Sequence, residues 1–355
     1  MSTFSEKLRA ARRMQGWSLQ ELADKVGNVV TKQSLSKYEQ GSMMPEGVVF
    51  ARLAEALGVT HDYLFRSNRV ELGPVGFRKK ARLSAKIQGI IEEKVKDYLE
   101  RYLEVETLLE VRHSFNSPFG FDEGEIARQT VATYEEVEAA AACVLEKWRL
   151  GVNPIPSVTE TLEENGVYVL VMDTDESFHG LATCVSSLPV IVLNKNDTHE
   201  RRRFTAFHEL GHIVLNIVQE DEKEVERFCH RFASAMLLPS DIVKRNFGEK
   251  RTSISTYELR AVKEQFGISA QAIMRRLLDF RIIKESYYKY FCIKIAPNRQ
   301  EKNMGTFCGE TDQSYRFQQM IHRLVAEDIV SDDKAANLIG TSLSEFRRQF
   351  MPADE

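Results

Sequence analysis

Long apolar runs are missing from this 355-residue sequence. None approaches the ~18–20 residues that a membrane-spanning helix needs, so no membrane partner is expected. Cysteine is scarce: the five are Cys143, Cys184, Cys229, Cys292 and Cys308. Their odd number and the lack of any C-x-x-C pair argue against a disulfide framework and fit a reducing compartment. The first residues, MSTFSEKLRAARRMQ, lack the apolar core of a secretion signal, so the expected location is cytoplasmic. Excess charge is missing too. A net charge of −4 exerts no global pull on nucleic acid, and any DNA contact must come from a local basic patch. There is no repeat of fixed period and no low-complexity tract. What remains, 43% hydrophobic and 28% charged, is globular, and the length predicts two or three domains.

Residues 1–66 read as a run of short helices. Phe4, Leu8 and Ala11 share one helical face, as do Leu19, Leu22, Ala23 and Val26. Ser18 and Glu21 have capping-box spacing at the start of a second helix, which Gly27 ends. Pro45 stands where a first-turn proline would open another helix, faced by Val49, Leu53, Ala56 and Leu57 and closed by Gly58. Gly73, Pro74 and Gly76, then the basic run Arg78, Lys79 and Lys80, mark a linker. A long helix is expected from about Leu83 to Val111, and a second break at residues 116–120. An alanine-rich helix, Val137 to Leu150, then precedes three strand-like runs at Val167–Met172, Leu181–Val185 and Val190–Leu193. Helices are expected from about Phe204 to Ile217 and from Lys223 to Leu238. Two more follow in Ser255–Ile283, and Phe317–Phe350 is helical with a turn near Ser331. Cys292, Cys308 and His322 match no metal-ligand spacing and read as structural.

Residues 208–212 spell His-Glu-Leu-Gly-His within one of these helices. Histidines at i and i+4 point the same way, so His208 and His212 can reach one ion. Glu209, one residue round the helix, can face an open coordination position and act as general base on the water at that ion. Gly211 leaves room behind the ion. A third ligand must come from Glu220, Asp221, Glu222, Glu224 or Glu226. Glu226 shares a face with Cys229, Ala233 and Leu237, and an inward carboxylate needs a partner, which makes it the first choice and Glu222 the second. His230, four residues beyond Glu226, reads as a neighbour of the site more than as a ligand.

Arg203-Phe204-Thr205-Ala206-Phe207-His208-Glu209-Leu210-Gly211-His212 resembles the signature of the ImmA/IrrE metallopeptidases. The stretch Glu226 to Ala233, then Leu237-Leu238-Pro239, resembles that family's next helix, and Phe266-Gly267-Ile268-Ser269 with Arg276-Leu277 resembles the segment after it. The match covers about residues 135–285. It implies zinc on His208, His212 and Glu226, and catalysis by Glu209. Cys229 and His230 depart from the small and amide residues usual at their positions, which would alter the surroundings of the ligands. Tyr168, His179 and Arg203 are guesses for the group that stabilises the oxyanion, and that role is left unassigned.

The N-terminal segment, Ser18 to Gly41, resembles the Cro/CI-type (XRE) helix-turn-helix. The recognition helix is expected at about Lys32–Tyr38, capped by Thr31, with Thr31, Lys32, Gln33, Ser34, Ser36 and Lys37 as candidate DNA contacts. Arg9, Arg12, Arg13, Lys32 and Lys37 can supply phosphate contacts. The turn from Gly27 to Thr31 is about two residues longer than is usual there. A helical module of this fold could also bind protein instead of DNA.

The fold class expected is α+β. An all-α helix-turn-helix domain (1–66) and a linker with a long helix (67–133) would lead into a mostly helical, zincin-like metallopeptidase domain with a small, about three-stranded sheet (134–285). A helical C-terminal region of unassigned role (286–355) would follow. The function expected is a DNA-binding, zinc-dependent endopeptidase that cleaves a protein, a helix-turn-helix repressor, to induce stress or mobile-element genes. Its DNA partner would be a double-stranded operator, bound as a homodimer on two half-sites. The alternative is a transcriptional regulator whose peptidase-like domain is a sensor or holds zinc structurally.

Overall fold

The computed structural model describes residues 3–66, 84–111, 114–174, 177–185, 187–294, 305–309, 312 and 314–349. The linker reading over 67–80, with its basic run, and the position Leu83 where the long helix was expected to begin lie outside the described residues. The chain forms two compact units: Met1–His113 with Tyr315–Glu355, and Ser114–Ser314.

The first unit opens with α1 (Thr3–Met14), α2 (Leu19–Lys25), α3 (Lys32–Glu39), α4 (Gly47–Leu57) and α5 (His61–Phe65). The apolar positions read from the sequence meet in one core, with Leu8, Leu22, Leu35, Leu53 and Leu64 fully buried. Both arms of the α2 capping box form: Ser18 N–H donates to Glu21 Oε2 at 2.7 Å and Glu21 N–H to Ser18 Oγ at 3.2 Å. Pro45 does not open α4, because Glu46 occupies the N-cap and the helix starts at Gly47. The long turn after α2 is absorbed by two consecutive left-handed residues, Gly27 and Asn28. Their N–H groups donate to Asp24 O and Ala23 O, both at 3.0 Å, closing a Schellman motif, and Val30 then drops into the core.

The long helix α6 (Ala85–Leu108) begins at a Ser84 cap. It receives α1 through ion pairs of Lys7 with Glu100 and of Arg13 with Glu93.

The second unit begins with a hairpin, β1 (Phe121–Asp122) and β2 (Glu125–Ile126), turned by Glu123 and Gly124, both at positive φ. Then come β3 (Gln129–Val131), α7 (Tyr134–Lys147), α8 (Val158–Glu164), β4 (Tyr168–Met172), β5 (Gly180–Val185) and β6 (Leu188–Asn194). The three strands expected from sequence form one mixed sheet of order β4-β6-β5, with β4 parallel and β5 antiparallel to the central β6.

The helix α9 (His199–Val214) starts five residues before the expected Phe204 and stops three short of Ile217. Its first turns are charged, so periodicity hides them. They are nonetheless held: Glu200 pairs with Lys263 at 2.8 Å, and Arg203 donates to Ile155 O and Pro156 O at 2.6 and 3.1 Å. Its last expected turn is instead β7 (Leu215–Ile217), paired in parallel with β3. The helices α10 (Glu222–Leu237), α11 (Ser240–Phe247), α12 (Thr256–Phe266), α13 (Ala270–Asp279) and α14 (Glu285–Lys294) complete the unit. The sheet covers one side of α9 and α10 the other. The helix is therefore buried on nearly every face, which its apolar run Ala206-Phe207 to Val214 reflects.

The chain then returns to the first unit with α15 (Arg316–Ala326), α16 (Asp332–Ile339) and α17 (Leu343–Gln349). Ile321, Leu324, Leu338 and Phe346 share a core with Val105 of α6 and with Leu109 at its C-cap. Phe317 stacks on Tyr102 at 5.0 Å, and Arg101 Nη1 donates to the last carbonyls of α16, Leu338 O and Ile339 O, at 2.9 and 3.2 Å. Among the described residues no helix is long and apolar enough to cross a membrane.

Candidate metal centre and nucleic-acid interface

His208 and His212 project one turn apart from α9, and Glu226 approaches them from the start of α10. His208 Nε2 lies 3.1 Å from Glu226 Oε2, His212 Nε2 lies 3.3 Å from Glu226 Oε1, and the two Nε2 atoms are 3.2 Å apart. The two imidazole nitrogens thus lie side by side, each facing one oxygen of the same carboxylate. A tetrahedral zinc with bonds of ~2.0–2.1 Å requires ligand–ligand edges of about 3.3–3.4 Å, so nitrogen–nitrogen–oxygen donors at this spacing fit that ion. Two imidazole lone pairs and a carboxylate this close also repel unless a proton or cation lies among them. The imidazoles hold the Glu226 carboxyl far below the usual carboxylate range, His208 contributing most and His212 next, against its partial burial.

The packing of α10 on α9 depends on Gly211. A side chain there would press on Phe232 at 3.2 Å and on Cys229 Cβ at 3.6 Å. The room that Gly211 leaves is therefore filled by α10, which lets the helices approach closely enough for Glu226 to reach the histidines. Cys229, fully buried, places Sγ 3.5 Å from His212 Nδ1 and fixes the ring from behind. The other acids lie elsewhere. Glu220 and Glu222 are exposed, Asp221 caps α10 at Lys223 N, and Glu224 pairs with Arg227 and accepts from Tyr134 OH.

Glu209, one residue round from His208, is only 1% exposed. It packs against the edge strand β5, where Gly180 is its neighbour: a Cβ on Gly180 would stand 3.3 Å from Glu209 Cγ and would overlap the Thr205 methyl. Of the three oxyanion guesses, Arg203 is committed to the backbone, to the Phe307 ring at 4.2 Å and to Asp312, as a buried staple. Tyr168 is buried in β4. His179 is pinned through Nδ1 to both oxygens of Asp197 at 3.1 Å, just ahead of Gly180, and nothing in its order along the sequence announced that pairing.

Among the candidate DNA contacts, Lys32, Gln33 and Lys37 are exposed on α3, as is Thr31 at its N-cap, and Ser34 and Ser36 are half-buried. Thr31 Oγ1 caps the helix by accepting from Ser34 N–H at 3.2 Å, and Gln40 Nε2 donates to Ser36 Oγ at 3.1 Å. Two of the expected phosphate contacts are corrected. Arg12 grips both oxygens of Glu39 at 2.6 and 2.7 Å and also donates to Trp17 O at 2.6 Å. Arg13 is paired with Glu93 at 2.5 Å. Both guanidiniums serve the fold, while Arg9 remains exposed.

Comparison with known proteins agrees with this division. Residues 162–278 match the IrrE N-terminal-like domain of the M78 peptidases, and residues 8–64 match a helix-turn-helix family. A stretch of 68 residues is 34% identical to the SPbeta prophage-derived uncharacterized HTH-type transcriptional regulator YonR of Bacillus subtilis (strain 168). That stretch spans 19% of this chain and 61% of that protein. The two matched stretches fall one in each compact unit: residues 8–64 in the first and 162–278 in the second.

Proposed function

We propose that this chain is a DNA-binding zinc endopeptidase of the cytoplasm that cleaves a protein substrate, a helix-turn-helix repressor, and so induces stress or mobile-element genes. The observation that carries this reading is the convergence of two imidazole nitrogens, 3.2 Å apart, on the two oxygens of the Glu226 carboxylate at 3.1 and 3.3 Å, with buried Glu209 next in sequence to His208. His208, His212 and Glu226 would hold the ion. Zinc, when bound, supplies Lewis-acid polarisation of the scissile carbonyl and a lowered water pKa. Glu209 takes the proton of the attacking water and passes it to the departing amine. The close fit of Gly180 against α9 sets the spacing between the site and β5, along whose edge an extended peptide would lie.

The DNA-binding half would present Lys32, Gln33, Lys37 and their neighbours to an operator, as a dimer on two half-sites, and deliver the peptidase to a repressor bound there. A prophage regulator among the similar proteins supports the mobile-element setting. The test is a cleavage assay on neighbouring regulators. Wild type should cut one of them, and Glu209→Gln should retain zinc yet leave it intact. Equal cutting by both chains would refute the mechanism.

The regulator name of that relative favours a second reading, in which the IrrE-like domain is a sensor or a structural zinc module. In that case Glu209→Gln leaves regulation unchanged.

A further inference from the structure

His230 lies one helical turn beyond Glu226 on α10, and its exposed imidazole faces the metal centre. Its ring centroid is 4.6 Å from that of His208, at 35°, and 5.7 Å from that of Phe204. One ligand atom from each of His208, Glu226 and His230 falls within 4.8 Å of the others. His208, His212 and Glu226 account for three donors of a four-coordinate ion. Rotation about the side-chain bonds of this exposed imidazole would shorten such a gap to the ~3.3–3.4 Å edge of a tetrahedral site. Sites with three protein ligands are catalytic and sites with four are closed.

We propose that His230 is a fourth, reversible protein donor at this centre. In the closed form three imidazoles and one carboxylate hold the metal. In the open form His230 has swung away and the fourth position faces Glu209. His230 is then the gate of the peptidase, and the alternation reconciles a structural zinc site with a catalytic one in a single chain. The proposal rests on the metal reading of His208, His212 and Glu226, but it fails separately from that reading.

The test uses the full chain. Zinc affinity is measured by competition with a chromophoric chelator in wild type and His230→Asn. The cobalt-substituted His230→Cys variant is examined by absorption. Because the ring is exposed, neither change threatens the fold. His230→Asn should bind zinc roughly ten- to a hundredfold more weakly, the scale that the loss of an outer partner alone can reach. Cobalt-loaded His230→Cys should gain a thiolate-to-cobalt charge-transfer band that wild type lacks, since Cys229 faces His212 Nδ1 and not the open position. Unchanged zinc affinity in His230→Asn, or no new band in His230→Cys, overturns the proposal. If His208→Ala and Glu226→Ala bind zinc as tightly as wild type, it is the metal reading itself that falls.

Discussion

Gly180 is where the fold and the proposed chemistry can be separated in one substitution. At Gly180→Ala the new methyl would overlap Thr205 Cγ2, stand 3.2 Å from Val192 O and press on Glu209 Cγ at 3.3 Å. Thr205 is β-branched and sits on a buried helix, so it cannot rotate away cheaply. Restoring carbon–carbon contact at ~3.5–4.0 Å requires β5 and α9 to part by about 1 Å. Overpacking of this kind costs about 1–3 kcal/mol. For a unit of this size that lowers the melting midpoint by roughly 2–12 °C. The proposed donors His208, His212 and Glu226 all lie on α9 and α10, so zinc content should be unaffected. The spacing between Glu209 and the β5 edge changes instead, and a misplacement near 1 Å can cost about a hundredfold in rate. Calorimetry, metal analysis and repressor cleavage should therefore give a lower midpoint, full metal and much slower cutting. A Gly180→Ala chain with an unchanged midpoint and wild-type cleavage would refute the reasoning. Loss of zinc would show that β5 supports the donors directly.

Three further perturbations follow from the same geometry. Arg12→Ala leaves the nearly buried Glu39 carboxylate without its guanidinium and should cost the helix-turn-helix about 3–5 kcal/mol, whereas Arg12→Met with Glu39→Leu should be close to neutral; denaturation followed by Trp17 fluorescence in a Trp148→Phe background measures both. Burial raises the pKa of Glu200, but Lys263, together with the Glu200 backbone N–H and the charge of His199, outweighs it and holds the folded value below the usual range. Its contribution to stability is therefore complete above the unfolded pKa of ~4.3 and is lost as pH falls through the lower folded value. The stability gap between wild type and Lys263→Met, from denaturant titrations across pH, should be widest above about pH 4.5 and shrink below it; a gap that widens in acid would contradict the pairing. On the nucleic-acid side, Lys32→Ala and Lys37→Ala should each weaken operator binding and reduce the slope of log K against log salt by about one, as read by fluorescence anisotropy.

Much of this was legible in the sequence because it rests on short-range physics. The spacing of His208 and His212 follows from the helical repeat alone. The Ser18–Glu21 box needs only neighbouring residues, and the apolar, largely β-branched runs Val167–Met172 and Val190–Leu193 need only strand propensity. The choice of Glu226 over its neighbours followed from its sharing a helix face with Cys229, Ala233 and Leu237. Three-dimensional packing was needed for the rest, since it depends on partners far along the chain. Leu215–Ile217 continues an apolar helical pattern, yet forms a strand because Gln129–Val131 lies alongside. The first turns of α9 look like a solvated charge run until Lys263 and the Ile155 and Pro156 carbonyls arrive to satisfy them.

Local pattern thus determined which side chains could bind a metal and which helix could enter a groove. Tertiary structure decided which cations were already taken. Arg12 and Arg13 read as phosphate contacts by composition, but a guanidinium next to a buried carboxylate is stabilised there far more than by a distant polyanion, and Glu39 and Glu93 claim them. It also decided that helices from the far end of the chain, Phe317 to Phe346, share the core of α6, because apolar faces seek one another without regard to sequence separation. His230 lies at the same divide. Its residue type and its place four residues after Glu226 are sequence facts, but its nearness to the proposed donors is a product of α10 packing against Gly211.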